Sequence, residues 1–327
     1  MKETYSPAAG TEKEKIPLLA VVGPTASGKT AAAIDLALRC GGEVVSADSV
    51  AIYRGMDVGS AKPSAQEMRG VPHHMLSCAD PAVPYSVSEY KQDALRCIEA
   101  IFARGRQPIV CGGTGLYVNA LLFPLDFTAS PANEAVRRKW QAFCEENGAH
   151  ALHEALRRVD PVSAGEIHEN NVRRVIRALE IYECTGTPKS AQRSLDRKED
   201  LPYEPVLAGV TWPRETLYAR CDARVDAMLR AGLVEEVRAL RAGGLADGAQ
   251  SMQAIGYKEI AAYLRGEASL EEAREQMQRN TRHLAKRQLT WFRANDKIRW
   301  FDRSACADPS SFSRELAEYS LGNSSHS

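Results

Sequence analysis

The stretch Gly23-Pro24-Thr25-Ala26-Ser27-Gly28-Lys29-Thr30 follows the apolar run Leu18 to Val22 and opens an Ala-rich segment that extends to Cys40. It fits the pattern GxxxxGK[ST], and its flanks predict a buried strand before it and a helix after it. Glycines let backbone N–H groups turn toward one anion, and the helix N-terminus adds partial positive charge. We therefore predict a polyphosphate site, in which Lys29 reaches phosphate oxygens and Thr30 offers its hydroxyl to Mg²⁺.

Alternating strands and helices surround this stretch. Glu43 to Ala47 and Pro108 to Cys111 are predicted as buried strands, and Tyr85 to Arg104 as an amphipathic helix. Strands are predicted again at Val206 to Thr211 and at Ile298 to Phe301. This order favours a parallel sheet wrapped by helices, so the predicted fold class is α/β with a P-loop NTPase-like core.

The domain organisation follows from a change of pattern near Ser130-Pro131, where strand-like runs stop and charged helical segments continue to about Asp200. We predict an all-helical domain at 129–200, inserted into a catalytic core at 16–128 and 201–303 that ends in basic helices. The polar composition of 1–15 predicts a disordered leader, and 304–327 is predicted as a flexible tail.

The composition describes a soluble globular chain, with 327 residues, 44% hydrophobic and 26% charged. Its longest early apolar run is too short to span a bilayer, so we expect a cytoplasmic protein with no membrane partner. The eight cysteines include no CxxC pair and are interpreted as reduced thiols, which argues against a structural zinc site. We also expect a monomer.

Positive charge is concentrated in two predicted helical segments, although the formal net charge is +0. Eight basic residues against two acidic ones lie between Arg279 and Arg303, a plausible footprint for a phosphate backbone. Arg173 and Arg177 share one helix face, which suits either phosphate contacts or solvated ion pairs with nearby glutamates.

Asp48-Ser49 ends the second predicted strand, at the edge of the sheet where the phosphate site also lies. A carboxylate there can ligate Mg²⁺ or act as a general base, and it can equally cap the next turn. Both interpretations stay open on the residues alone.

A nucleotide or small-molecule kinase is the main alternative for a chain with this loop, because most such loops hold nucleoside triphosphates. The third predicted strand runs into Gly112-Gly113-Thr114-Gly115, however, where an ATPase would often place an aspartate. The kinase interpretation is weakened by this absence but not excluded.

A series of collinear motifs resembles the tRNA dimethylallyltransferase family, bacterial type. After Gly23 to Thr30, the motifs are Ser46-Ala47-Asp48-Ser49, Tyr53 to Pro63, Gly70-Val71-Pro72-His73-His74, Gly112 to Tyr117, Arg173 to Glu180, Ile255 to Glu259 and Lys286 to Arg293. They cover nearly the whole chain, from the GxxxxGK[ST] stretch to near Trp300.

The resemblance implies transfer of a dimethylallyl group from dimethylallyl diphosphate to the exocyclic amine of the adenosine adjacent to the anticodon, with release of diphosphate. It implies that Asp48 is the base, that Thr114 contacts the substrate nucleotide, and that Lys29 serves catalysis. The residues implied for diphosphate are Gly23, Pro24, Thr25, Ala26, Ser27, Gly28, Lys29 and Thr30, and Arg220 is added because it lies in the predicted helix after Thr211. The residues implied for the tRNA anticodon stem-loop are Asp48, Ser49, Val50, Ala51, Thr114, Arg137, Arg173, Arg174, Val175, Ile176, Arg177, Lys286 and Arg293, and Arg282 is added from the basic segment.

Three details depart from this pattern or stay open. Val50-Ala51 stands where the family would have Met-Gln, which puts one tRNA contact in doubt. Arg220 suits either the diphosphate or a surface ion pair with Asp222 or Asp226. His73-His74 is interpreted as structural packing, because adjacent side chains diverge and no third metal ligand is evident.

Overall fold

The computed structural model describes residues 15–123, 133–191, 203–306 and 308–322. Within these ranges, six parallel strands form a single sheet with the order β3-β2-β4-β1-β5-β6. The predicted α/β class with a parallel sheet is therefore confirmed. The strands are β1 (Ile16–Val22), β2 (Glu43–Ala47), β3 (His73–His74), β4 (Pro108–Gly112), β5 (Tyr203–Thr211) and β6 (Arg299–Asp302).

Helices alternate with these strands and cover the sheet. In chain order they are α1 (Lys29–Cys40), α2 (Ala65–Met68), α3 (Val87–Ala103), α4 (Gly115–Leu122), α5 (Glu134–Val159, interrupted at Gly148), α6 (Pro161–Glu166), α7 (Val172–Thr185), α8 (Arg214–Arg230), α9 (Leu233–Ala242), α10 (Tyr257–Leu264), α11 (Leu270–Arg293) and α12 (Pro309–Gly322).

The predicted strands and helices agree with the structure apart from small shifts at their ends. Strand β3 is present in addition. Helix α3 begins at Val87, two residues later than predicted, because the Ser86 hydroxyl accepts the Glu89 N–H and fixes the helix start. Strand β3 was not predicted, since two histidines carry no apolar signal. It forms by pairing with Val44 and Val45 of β2.

The C-terminal segment corrects the prediction of a flexible tail at 304–327. Helix α12 contributes Phe312 and Leu316 to the same buried cluster as Ile34 of α1. The Ser313 hydroxyl also donates to the Asp35 carboxylate at 2.6 Å. Burial of these apolar side chains holds the helix on the core. The rest of the predicted tail from 323 onward, and residues 1–14 of the predicted leader, lie outside the described residues.

The chain divides into two compact units, one formed by Met1–Leu122 with Pro202–Ser327 and the other by Phe123–Leu201. The second unit contains α5, α6 and α7 around its own buried cluster, which includes Leu152, Leu156 and Leu179. Its limits lie near the predicted insertion at 129–200. In the described ranges, no helix is long and apolar enough to cross a membrane.

Candidate active site

Three loops meet at the carboxyl edge of the sheet because β4 lies between β1 and β2. Val22 and Ala47 both pair with Gly112. A Cβ on Gly112 would lie 2.1 Å from the Ala47 carbonyl oxygen, so the strands approach this closely only with glycine there. The Thr114 N–H then donates to the same oxygen at 3.1 Å. The predicted phosphate loop, the Asp48 turn and the Thr114 turn are thereby adjacent.

Residues Gly23–Thr30, which we call the phosphate cradle, follow β1 directly and lead into α1. The Lys29 ammonium donates to the Pro24 carbonyl oxygen at 3.2 Å. Burial lowers the pKa of Lys29, and Arg224 lowers it further, while Cys111 and Asp48 oppose the shift. Lys29 makes no ion pair with any residue in the described ranges, so its charge is available to a ligand.

A cavity of about 560 Å³ opens beside the phosphate cradle. Its basic lining residues come from three separate segments, which are Lys29 of α1, Lys62 of the loop after β2, and Arg220 and Arg224 of α8. Glu67 is the acidic residue in this lining. The excess of positive charge suits a polyanionic ligand.

Arg220 lies against the phosphate cradle. Its Nε donates to the Ala26 carbonyl oxygen at 2.8 Å, and its guanidinium stacks 4.9 Å from the centre of the Trp212 ring. Asp222 and Asp226, the acids considered as its surface partners, pair instead with other arginines. The ion-pair interpretation of Arg220 is therefore wrong.

Arg224 is a site residue that was missed in the sequence. Its Nη2 donates to the Ser60 carbonyl oxygen at 3.3 Å. Burial lowers the pKa of Arg224, and Asp48 opposes that shift. Its position four residues after Arg220 places both on one face of α8, and that spacing was visible in the sequence.

Asp48 caps its own turn, as one of the two interpretations held. Its Oδ1 accepts N–H groups from Val50 at 2.9 Å and Ala51 at 3.2 Å. Within the described residues, no hydrogen bond reaches its Oδ2. The Ala51 side chain is buried, so the prediction that it contacts tRNA does not fit the structure. A role for the free oxygen in proton transfer is compatible with the cap.

Thr114 links the β4 turn to the Asp48 turn. Its Oγ1 accepts the Ser49 N–H at 3.1 Å and lies 3.3 Å from the Ser49 hydroxyl oxygen. The sequence-predicted residues Asp48, Ser49 and Thr114 are thus brought together by hydrogen bonds between neighbouring strand ends.

Gln288 of α11 is a second residue that was missed, although it lies within the quoted motif Lys286 to Arg293. Its Oε1 accepts the Thr25 N–H at 2.8 Å, and its Nε2 donates to the Gly113 carbonyl oxygen at 2.8 Å. One side chain therefore ties α11 to the phosphate cradle and to the turn that carries Thr114.

The α7 segment is only partly available to RNA. Arg173 and Arg174 are exposed, whereas Val175 and Ile176 are buried in the core of the second unit. The prediction that Val175 and Ile176 contact tRNA therefore does not fit the structure. They fall on the inner face of an amphipathic helix.

Glu180 binds the two other arginines predicted in this unit. Its fully buried carboxylate accepts from Arg177 Nη1 at 2.7 Å and from Arg137 Nε at 2.9 Å. It also accepts the Asn133 N–H at 2.6 Å. Burial favours a higher pKa for Glu180, but the hydrogen bonds from Arg177, Asn133 and Arg137 outweigh it and lower the pKa.

Helix α11 carries the remaining predicted RNA contacts. Arg282 forms an ion pair with Asp222 of α8. Lys286 and Arg293 are exposed and make no ion pair within the described ranges. They are the better candidates on this helix, because their charge is not already neutralised.

His73 and His74 have structural partners, as predicted. His73 Nδ1 lies 2.8 Å from the Val71 carbonyl oxygen, and His74 Nε2 lies 2.7 Å from the Glu43 carboxylate. Arg104 shares that carboxylate at 2.8 Å. These contacts of His73 and His74 hold β3 in place at the edge of the sheet.

This fold and site define a P-loop-like α/β protein with a basic pocket beside the loop after β1 and a carboxylate on the neighbouring turn. The sequence profile described as IPP transferase matches residues 51–295, and one described as isopentenyl transferase matches 16–79. The chain belongs to the tRNA dimethylallyltransferase family of prenyl transferases.

Individual relatives agree with this assignment. The tRNA dimethylallyltransferase of Geobacillus kaustophilus is 49% identical over 92% of this chain and 95% of its own length. The tRNA isopentenylpyrophosphate transferase from Bacillus halodurans has 44% sequence identity to this chain. Its crystal structure matches with a TM-score of 0.71 over 94% of this chain and 96% of that one. A eukaryotic dimethylallyltransferase acting on tRNA is 28% identical, with a TM-score of 0.80 over 95% of this chain and 80% of that one.

Proposed function

We propose that this chain transfers the dimethylallyl group of dimethylallyl diphosphate to the exocyclic amine of the adenosine adjacent to the anticodon in tRNA. One observation carries the proposal. The basic cavity at the phosphate cradle adjoins the turn of Asp48 and Thr114, through the pairing of β1 and β2 with β4. This arrangement supports assigning the diphosphate donor to the cavity and the nucleotide acceptor to the neighbouring turn.

The reaction is a substitution at the first carbon of the prenyl group. The amine nitrogen forms a bond to that carbon, the carbon–oxygen bond to diphosphate breaks, and its electron pair leaves on the diphosphate. The amine proton passes to the Asp48 carboxylate, whose Oδ2 has no other partner in the described residues. Oδ1 stays bound to Val50 and Ala51 N–H groups, which orients the base.

The leaving diphosphate needs positive charge in place before reaction. Lys29, Arg220 and Arg224 supply it from the lining of the cavity. Backbone N–H groups of the phosphate cradle add fixed dipoles. Because these groups are held by the fold, little reorganisation is needed as negative charge develops.

Mg²⁺ fits this site as a cation carried by the diphosphate. Thr30 offers a hydroxyl oxygen, a hard donor of the type that Mg²⁺ prefers, and the diphosphate oxygens supply further donors of that type. Within the described residues, no group of three His, Cys, Asp or Glu side chains forms a complete cage. A bound Mg²⁺ would neutralise phosphate charge.

The acceptor base is stacked inside the anticodon loop, so the loop must release it before the amine can reach Asp48. We assign contacts with tRNA to Ser49, Val50 and Thr114 near the reaction site, and to Arg173, Arg174, Lys286 and Arg293 on the helices. Arg137, Arg177 and Arg282 are weaker candidates for contact with tRNA, because each already binds a carboxylate. We place the enzyme in the cytoplasm, acting as a monomer.

The test is incubation with radiolabelled dimethylallyl diphosphate and unmodified tRNA, in parallel with an ATP phosphotransfer assay. Label on the adenosine beside the anticodon, dependent on added Mg²⁺, is the expected result. Phosphotransfer from ATP without label on tRNA would establish the kinase alternative instead.

A further inference from the structure

Trp291 of α11 lies directly on the backbone of the turn that carries Thr114. A Cβ on Gly115 would be 2.3 Å from Trp291 Cδ1 and 2.4 Å from its Nε1, so the indole occupies space that only glycine leaves open. Gln288, one helical turn earlier, bonds the Gly113 carbonyl oxygen. The two contacts fix the indole beside the proposed acceptor site.

The indole is nevertheless exposed over 39% of its area, and the neighbouring Leu116 is exposed over 44%. Phe292, the next residue of α11, is buried and already anchors this end of the helix. The Trp291 Nε1–H has no hydrogen-bond partner within the described residues. Packing against the core therefore covers only part of the Trp291 side chain and leaves the rest of the indole exposed.

A basic side chain borders this apolar surface. Arg287 precedes Trp291 by four residues and shares its helix face, and Lys286 and Arg293 are also exposed. No acidic residue in the described ranges forms an ion pair with these three. A flat apolar ring beside one free cation, on a helix that carries two more, matches a polyanion with flat bases, which describes single-stranded nucleic acid.

We infer that Trp291, with Leu116 beside it, is a stacking platform for an unpaired base of the RNA substrate next to the target adenosine. The inference rests on the proposed function, since it takes the acceptor to be tRNA. Extruding the target base leaves its neighbours without a stacking partner. An indole beside Thr114 replaces that partner and stabilises the opened loop.

The experiment compares Trp291→Leu with Trp291→Phe, because both keep apolar volume over Gly115 while only phenylalanine keeps an aromatic ring. Phe102→Leu on α3, where the exposed fraction is 40%, is the matched control. Binding of an unmodified anticodon stem-loop RNA is titrated for each protein. The titration is repeated with RNAs that carry an abasic site at either neighbour of the target adenosine.

Trp291→Leu should weaken binding by about 5- to 100-fold, as expected for one base stacked on an aromatic ring, with Trp291→Phe closer to the parent. With one of the two abasic RNAs, the difference between parent and Trp291→Leu should disappear. If Trp291→Leu binds every RNA as the parent does, or loses the same factor on all of them, the platform does not exist.

Failure of the inference is distinct from failure of the proposed function. A parent protein that prenylates tRNA, together with an unaffected Trp291→Leu variant, overturns only the inference. A parent protein that neither binds nor prenylates the RNA overturns both.

The variants must show equal melting temperatures before their affinities are compared. A second readout uses the parent protein and an RNA with the fluorescent base 2-aminopurine at a neighbour of the target adenosine. Its fluorescence should fall on binding if that base stacks, and unchanged fluorescence at both neighbours would contradict the platform.

Discussion

The phosphate cradle and the basic helices α7 and α11 both carry positive charge, but they hold it in different ways. In the cradle and the adjoining cavity, Lys29 and Arg224 are partly buried and bond to carbonyl oxygens, with no carboxylate partner in the described residues. On the helices, Arg177 and Arg282 are each paired with an acid. A partly buried cation without a carboxylate partner indicates a ligand site, whereas an arginine paired with an acid on a helix also stabilises the protein's own structure.

The same contrast separates the residues on a single helix. Arg282 and Lys286 of α11 belong to one basic stretch of sequence, yet only Arg282 meets an aspartate. Charge counted along the sequence therefore overstates the charge that is available to RNA. We expect substitutions in the cradle to change chemistry and substitutions on the helices to change stability or binding.

Asp48→Asn should produce the largest effect. Asparagine can still accept the Val50 and Ala51 N–H groups, so the turn is kept while the proton acceptor is lost. Turnover should fall roughly 10²–10⁴-fold, with tRNA affinity changed much less. Single-turnover prenylation with enzyme in excess measures it.

Asp308→Asn is the matched control for Asp48→Asn, because the Asp308 carboxylate also accepts two backbone N–H groups, from Ser310 at 2.7 Å and Ser311 at 2.9 Å. It should leave turnover unchanged. Turnover of Asp48→Asn within about threefold of the parent would show that Asp48 only caps its turn.

Lys29→Ala should lower turnover about 10²–10³-fold, because it removes one preorganised charge from the leaving diphosphate. Saturating concentrations of the prenyl donor should not restore the rate. Lys258→Ala, at an exposed position of α10, serves as the lysine control. Near-normal turnover of Lys29→Ala at saturating donor would place the diphosphate elsewhere.

Gln288→Ala should lower kcat/KM roughly 10- to 30-fold. It leaves the Thr25 N–H and the Gly113 carbonyl without their shared partner, and each lost bond is worth about 1 kcal/mol. Steady-state kinetics with both substrates varied will measure the effect. Gln276→Ala, whose amide donates to Asn280 on the same helix, should behave like the parent. Equal kinetics for Gln288→Ala and Gln276→Ala would mean that the two Gln288 hydrogen bonds are not needed for activity.

Glu180→Gln should destabilise the protein by about 1–2 kcal/mol at neutral pH, because it removes the buried charge that binds Arg177 and Arg137. The folded-state pKa of Glu180 is lowered, so its contribution is complete above the unfolded pKa of about 4.3 and is lost as pH falls through the folded value. Melting curves should therefore differ at pH 7 and converge in acid. Glu183→Gln, at a more exposed carboxylate that pairs with Lys139, is the control. A difference that stays constant with pH would contradict the assignment.

Replacing Lys286 and Arg293 together with alanine should give the smallest effect, a loss of a few-fold in tRNA affinity at moderate salt. Each phosphate contact contributes about 0.7–0.9 to the slope of log K against log salt, so the slope should become shallower by about 1.4–1.8. A filter-binding titration across salt concentrations measures this. Arg238→Ala with Lys258→Ala removes the same charge from α9 and α10, and an equal change there would mean that only net charge matters.

Much of this protein was determined by local sequence. The cradle is a contiguous stretch between a strand and a helix, so its pattern predicted β1, the turn and α1 in their observed order. Strands β1, β2, β4 and β5 are short apolar runs ended by turn residues, and the helical insertion was visible as a change of pattern. These features depend on interactions between residues close in sequence, which a pattern records.

Tertiary structure alone decided which side chains share the site and which charges are free. Gln288 reaches Thr25 across 263 residues of chain, and Arg220 turns to Ala26 rather than to its neighbour Asp222. The burial of Val175 and Ile176, and of Phe312 in the supposed tail, also followed from packing partners remote in sequence. Helix spacing tells which residues share a face, but only the packed neighbour determines whether that face meets a carboxylate, an apolar core or an open site.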